Sequence, residues 1–145
     1  MKKKIVFLGL IFCLFSVSLF SQENYPLKIS DITIQQKREV IASPSDIEGT
    51  LRQNQAQSFT LFEQDGLKAW VEFTPKFKGR RMKLVRNVYV KSPDGNIKKF
   101  KQKKAVQLLK VSVTGVMKGR DAAEILYDRK MRKSLFVKYN YELTY

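Results

Sequence analysis

The chain has 145 residues, with 28 Lys or Arg against 13 Asp or Glu, one Cys and no His, for a formal net charge of +15. The missing His excludes a catalytic base, metal ligand or neutral-pH switch that depends on imidazole, and a lone Cys excludes intrachain disulfides, thiolate zinc sites and iron–sulfur clusters. The length suits one domain, and 43% hydrophobic with 12% aromatic residues is the composition of a folded chain, not a disordered one.

Residues 1–21 read as a secretory signal peptide helix: a basic start at Lys2, Lys3 and Lys4, an apolar run over 5–20, and small residues at Ser16, Ser18 and Ser21. The run is shorter than the roughly 20 apolar residues a membrane-spanning helix needs, which favours a cleaved signal over a retained anchor. Cleavage after Ser21 leaves Gln22 first. Cys13 follows the bulky Phe12, where a lipoprotein signal has a small residue, so no lipid anchor is expected on it. The remaining domain, 22–145, has no Cys and must fold on its core alone in an oxidising compartment. A chain of that size buries about two-thirds of its unfolded surface, which is enough for one domain. The lysine-rich start indicates a bacterial source, hence the periplasm, the outer surface or the medium.

Charge is unevenly divided along the domain. Residues 22–72 carry five basic and eight acidic side chains, net −3, whereas 73–145 carry twenty basic and five acidic, net +15. In chain order, a strand is expected at 28–35 and a loop or short capped helix over 42–54, around Ser43-Pro44-Ser45-Asp46. Alternating apolar residues punctuated by three turn signals then predict a meander. Its strands are 58–63, 68–78, 81–91 and 96–104, joined by Gln64-Asp65-Gly66, Gly79-Arg80 and Ser92-Pro93-Asp94-Gly95. Further strands are expected at 106–117 and 134–145.

Turn chemistry gives the register. Gly79 at the first position of a two-residue loop suits a type II′ turn, pairing Lys78 with Arg81, Phe77 with Met82, Pro75 with Leu84 and Val71 with Val88. The Ser-Pro-Asp-Gly turn suits a type I turn with a glycine bulge, pairing Ser92 with Asn96, Val90 with Lys98 and Val88 with Phe100. A similar bulged turn at 64–66 sets Leu61 against Ala69 and Phe59 against Val71. The opposite face of this sheet then gathers Lys76, Lys78, Arg81, Lys83, Lys91, Lys99, Lys101 and Lys103, with Trp70 and Tyr89 directly opposite each other. A one-residue slip would bury the lysines, so the pattern specifies its register.

This basic aromatic face is the candidate ligand-binding surface. Lysines attract anions at long range and flat aromatic rings stack on sugars or bases. The partners it implies are an anionic glycan, a lipid phosphate or an acidic envelope protein; export disfavours nucleic acid as the physiological ligand, although charge alone would bind it in vitro. A second basic run, Arg129-Lys130-Met131-Arg132-Lys133, reads as an exposed turn. Asp121, Glu124 and Asp128 have the spacing of a helical turn, which surface acids produce constantly, and no phosphate loop, nucleophile elbow or EF-hand pattern occurs. No enzyme, cofactor or metal site is expected.

The last segment alternates through Leu135, Val137, Tyr139, Tyr141, Leu143 and Tyr145. Over about a dozen residues it resembles the closing strand of bacterial outer-membrane β-barrel proteins, which ends on an aromatic residue; the resemblance implies a small membrane barrel. Against that, a lipid-facing surface must be free of charge and its strands near-continuous: Arg86 interrupts the apolar face between Leu84 and Val88, Pro75 interrupts another strand, and no strand is expected over 42–54. The reading is therefore an all-β antiparallel meander, a β-sandwich or partly closed barrel of about seven or eight strands. Its expected role is that of an exported, non-enzymatic binding or accessory module, with a membrane barrel or a structural envelope subunit as the alternatives.

Overall fold

Alternation at period two sorts the side chains of the longest strands into an apolar inner set and a polar outer set. In the computed structural model, which describes residues 24–108 and 114–145, those inner sets face each other across two antiparallel sheets, giving an all-β, sandwich-like fold. The first sheet contains β1 (Asn24–Gln36), β2 (Glu39–Ala42), β3 (Ile47–Arg52), β9 (Val116–Asp128) and β10 (Lys133–Thr144); the second contains β4 (Gln57–Gln64), β5 (Leu67–Lys78), β6 (Arg81–Lys91), β7 (Ile97–Lys101) and β8 (Ala105–Leu108). The expected signal segment, 1–21, lies outside the described residues.

Among the described residues there are ten strands rather than seven or eight, because one edge strand of each sheet is interrupted. β2 and β3 pair successive parts of β1, residues 34–36 and 24–29, on the edge opposite β10. The break between them is the Ser-Pro-Ser-Asp segment, 43–46, which falls where β1 itself bulges between Ser30 and Thr33. The segment 42–54, expected to hold a loop or capped helix, therefore supplies β3. In the same way β7 and β8 pair residues 87–91 and 81–84 of β6, with 102–104 between them. The single strand expected over 106–117 is instead split between sheets: β8 belongs to the second and β9 starts at Val116 in the first.

The β5–β6 register agrees with the turn chemistry throughout, from Lys78 opposite Arg81 to Val71 opposite Val88. Gly79 has φ 57° and Arg80 does not take positive φ, as a type II′ turn requires. Ser92 N donates to Asn96 O at 2.9 Å, Gly95 N donates to Ser92 O at 2.9 Å, and Gly95 has φ 92°, which is the expected bulged turn. β4 differs by one residue. Asp65 and Gly66 both take positive φ, 51° and 79°, making a two-residue type I′ turn that pairs Gln64 with Leu67. The extra residue moves into the strand: Thr60 pairs with Trp70 and Phe62 with Ala69, so Leu61 is bulged and does not oppose Ala69. Phe59 still meets Val71.

A second bulge, between Ser30 and Thr33 of β1, keeps Tyr25, Leu27 and Ile29 on the same inner face as Ile32 and Ile34. Asp31 takes φ 49° there, and its carboxylate accepts from Asn140 Nδ2 at 2.5 Å. The core runs between the sheets. Phe73 of β5 meets Tyr139 and Tyr141 of β10 edge-on at 6.2 and 5.8 Å, and Ile29, Leu84, Val88, Val137 and Leu143 are fully buried. Each such aliphatic side chain contributes about 1.5–3 kcal/mol on burial.

Candidate functional site

The outer face of the second sheet is built in cross-strand rows. One row is Thr60, Trp70, Tyr89 and Lys99; on one side of it come Lys68 and Lys91, and on the other Ser58, Glu72, Asn87 and Lys101. Further along lie Thr74 with Val85, then Lys76 with Lys83, then Lys78 with Arg81 at the hairpin end.

Trp70 and Tyr89 stack nearly parallel, 5.2 Å between centroids and 6° between planes, and Lys99 Nζ lies 5.5 Å over the Tyr89 ring. Tyr89 thus stands between an indole and an ammonium. The second face of Trp70 turns toward β4, where its opposite residue, Thr60, is short and exposed. A flat ring laid there would meet the indole, with the Thr60 and Ser58 hydroxyls beneath it and Lys68 of the same strand as the nearest cation, while Lys91, Lys99 and Lys101 lie on the Tyr89 side of the pair. Both aromatic side chains are half-buried.

The candidate residues all fall on this side of the sheet except Lys103, but they do not form one cluster. At about 3.3 Å per residue, the six residues from Trp70 to Lys76 span roughly 20 Å. Lys91, Lys99 and Lys101 surround the aromatic pair, while Lys76, Lys78, Arg81 and Lys83 sit at the far end of the hairpin. There they join Arg80 and Phe77 around an open groove of about 660 Å³. Lys103 is in the break between β7 and β8, where no strand fixes its direction. Two groups went unnoticed in the sequence although period two puts them on this face. Glu72 accepts from Asn87 Nδ2 and Tyr89 Oη, each at 3.4 Å, and Lys68 pairs with Glu63 at 3.4 Å.

Electrostatically the face is unusual in opposing like charges. Lys76 stands directly across from Lys83, Lys78 from Arg81, and Lys68 from Lys91. Directly opposed like charges destabilise a sheet, so folding alone does not call for them. The hairpin that carries two of these pairs is held at its base by Asn54, whose N–H donates to Pro75 O at 2.8 Å and whose Oδ1 accepts from Phe77 N at 3.0 Å. Asn54 takes φ 57°, a conformation that Asn tolerates better than most residues. Phe77 also stacks on Tyr25 of the first sheet at 5.1 Å.

Beneath the face, Arg86 crosses the core to Asp121 of β9. Nε donates to Oδ2 at 2.6 Å and Nη2 to Oδ1 at 3.0 Å; Nη1 and Nη2 also donate to Leu84 O and Lys103 O. Tyr139 Oη donates to Asp121 Oδ2 at 2.8 Å, and the guanidinium lies 4.7 Å over the Tyr141 ring. Burial opposes the guanidinium's charge, but hydrogen bonding to Asp121 and its field overcome that and raise the arginine pKa. Burial likewise pushes the Tyr139 hydroxyl far above the usual phenol range, with Asp121 adding to it. Four hydrogen bonds from the guanidinium and one from Tyr139 make this buried network a tie between the two sheets. It also corrects the reading of Asp121, Glu124 and Asp128 as one helical turn: all three lie on the strand β9, Asp121 inward and Glu124 outward.

Among the described residues no group of His, Cys, Asp or Glu could hold a metal ion. No family model, curated protein or solved structure matches the chain.

Proposed function

We propose that the protein is an exported, non-enzymatic binding module of the bacterial cell envelope that engages a polyanion through the outer face of its second sheet. The observation that carries this reading is the two successive pairs of opposed cations Lys76–Lys83 and Lys78–Arg81, which no carboxylate among the described ion pairs offsets, whereas Lys68, across from Lys91, is already paired with Glu63. Their mutual repulsion is relieved when an anion lies between them, so ligand binding offsets a cost that the isolated fold bears. An anionic glycan suits the face best among polyanions. The stacked Trp70–Tyr89 pair offers a sugar-sized indole surface on its β4 side, and on its Tyr89 side Lys91, Lys99 and Lys101 supply cations for the carboxylate, sulfate or phosphate groups of neighbouring residues of an extended chain.

The burial pattern supports this reading over a small membrane barrel. Leu135, Val137, Tyr139, Tyr141 and Leu143 point inward, and the outward positions of β5 and β6 are largely charged, the reverse of a lipid-facing wall. The test is calorimetric titration with an acidic polysaccharide such as heparin, a neutral glucan and a polyphosphate, each at low and high salt. Binding to heparin that weakens with salt, beside weaker polyphosphate and absent glucan binding, is expected. Equal affinity for polyphosphate would remove the aromatic pair from the argument, and no binding of any of the three would overturn the reading.

A further inference from the structure

The basic run Arg129-Lys130-Met131-Arg132-Lys133 belongs to the first sheet and plays no part in the glycan reading. In the fold it is met by a second basic turn far away in sequence, Lys37-Arg38, between β1 and β2. Lys37, Arg38, Arg132 and Lys133 line one open pocket of about 350 Å³. Six cations stand at this end of the molecule, counting Arg129 and Lys130, against three carboxylates of the first sheet, Glu39, Glu124 and Asp128, and Asp65 of the second, which lines a pocket with Gln36 and Ile41. Two of those carboxylates are engaged by their own hairpin: Asp128 accepts from Met131 N at 3.0 Å and Glu124 from Ser134 Oγ at 2.8 Å.

Large apolar side chains crowd the same place. Met131 is 67% exposed at the tip of one turn, Val40 is 56% and Ile41 39% exposed beside the other, and Leu126 is 45% exposed on β9. All four are aliphatic, and the one aromatic ring in the pocket, Phe136, is half-buried on its floor. The backbone adds a third observation. Lys37 and Arg38 both take positive φ, 52° and 67°, which is a type I′ turn, and Arg132 has φ 48°. Asn-Gly is the pair that suits a type I′ turn. Here two cations occupy it instead, against the preference of the chain.

We propose that this end of the first sheet docks on the surface of an anionic phospholipid bilayer. The lysine and arginine heads meet lipid phosphates while their stems, together with Met131, Val40, Ile41 and Leu126, enter the boundary between headgroups and acyl chains. The proposal does not rest on the glycan reading, since it uses other residues on the other sheet. Taken together, the two surfaces let the protein sit on a membrane and hold a glycan at once.

The test is hydrogen exchange with vesicles of phosphatidylglycerol and phosphatidylcholine in equal parts, compared with phosphatidylcholine alone. Protection confined to 36–42 and 128–134, present only with the anionic vesicles and reduced by salt, is expected. Lys37→Asn with Arg38→Gly gives the turn the residues its backbone favours, so its denaturation midpoint should rise while vesicle partitioning falls roughly fivefold for each charge removed. Met131→Ser should weaken partitioning and leave its salt dependence unchanged. The proposal fails if the two turns stay unprotected, if protection appears at 76–83 instead, or if the Lys37→Asn/Arg38→Gly protein partitions like wild type. It also fails if polyglutamate protects the turns as well as vesicles do, which would assign the surface to an acidic protein.

Discussion

Arg86 and Asp121 grip each other side-on across the core, with both contacts at or below 3.0 Å, and so tie β6 of one sheet to β9 of the other. The pair also repairs an edge. Where β7 and β8 leave β6 unpaired, Arg86 Nη2 donates to Lys103 O at 2.7 Å and Gln102 N donates to Arg86 O at 3.0 Å. Removing one partner leaves a buried charge without its counterpart, at a cost of about 3–5 kcal/mol. Asp121→Leu and Arg86→Met should each lower the unfolding free energy measured in urea by that order. The double change Arg86→Met/Asp121→Leu should cost clearly less than the two single effects added. Full additivity in the cycle would show that the two residues act independently.

Gly119 faces Tyr141 across β9 and β10, and a Cβ at that position would collide with the Tyr141 ring and hydroxyl. The ring is buried and also packs against the Arg86 guanidinium and Phe73, so it has little room to retreat. Gly119→Ala should destabilise by about 1–3 kcal/mol and alter the aromatic circular dichroism. Adding Tyr141→Leu should recover part of the loss; no recovery would mean that the strain lies in the backbone.

Stability should fall in alkali. Burial raises the phenol pKa of Tyr139 above the ordinary 10.0, and the neighbouring Asp121 reinforces it. Because the folded state keeps this proton while the unfolded chain loses it, the stabilisation is complete below pH 10 and declines as pH rises beyond it. The slope for this group is about 1.4 kcal/mol per pH unit. Tyrosinate absorbance followed against pH should show the Tyr139 proton released together with unfolding, and Tyr139→Phe should flatten the decline. A Tyr139 that titrates near pH 10 in the folded protein would contradict this.

Charge on the second sheet should trade stability against binding. Lys83→Glu converts the Lys76–Lys83 clash into an opposite-charge pair, so the urea midpoint should rise slightly while heparin affinity drops. Trp70→Ala, at a half-buried outer position, should weaken heparin binding and leave the fold in place. A large loss of stability in Trp70→Ala would make the indole part of the structural framework instead.

The second sheet was legible in the sequence because its turns carry their own chemistry. Gly79 and the Ser-Pro-Asp-Gly segment fix loop lengths, loop lengths fix register, and period two then decides which side each lysine faces. The same logic left one residue open at β4, where Asp-Gly permits both a bulged and a two-residue turn and only packing chose between them. The Lys37-Arg38 turn was invisible, since neither residue signals positive φ. The pairing of Arg86 with Asp121 was hidden for a different reason. Arg86 looked like an interruption of an apolar face, and its partner is supplied by the other sheet, which no local pattern can announce. The division of the basic surface into two groups follows from distance along the strands, whereas alternation reports only the side.

Trp70 is the only tryptophan in the chain, and it lies on the outer face, stacked against Tyr89, rather than in the core. Its emission is therefore an optical reporter of that one surface. An acidic polysaccharide should quench or shift the fluorescence on binding, whereas vesicles docking at the other sheet should leave it nearly dark to the event. The protein carries, without any label, a means of telling its two contacts apart.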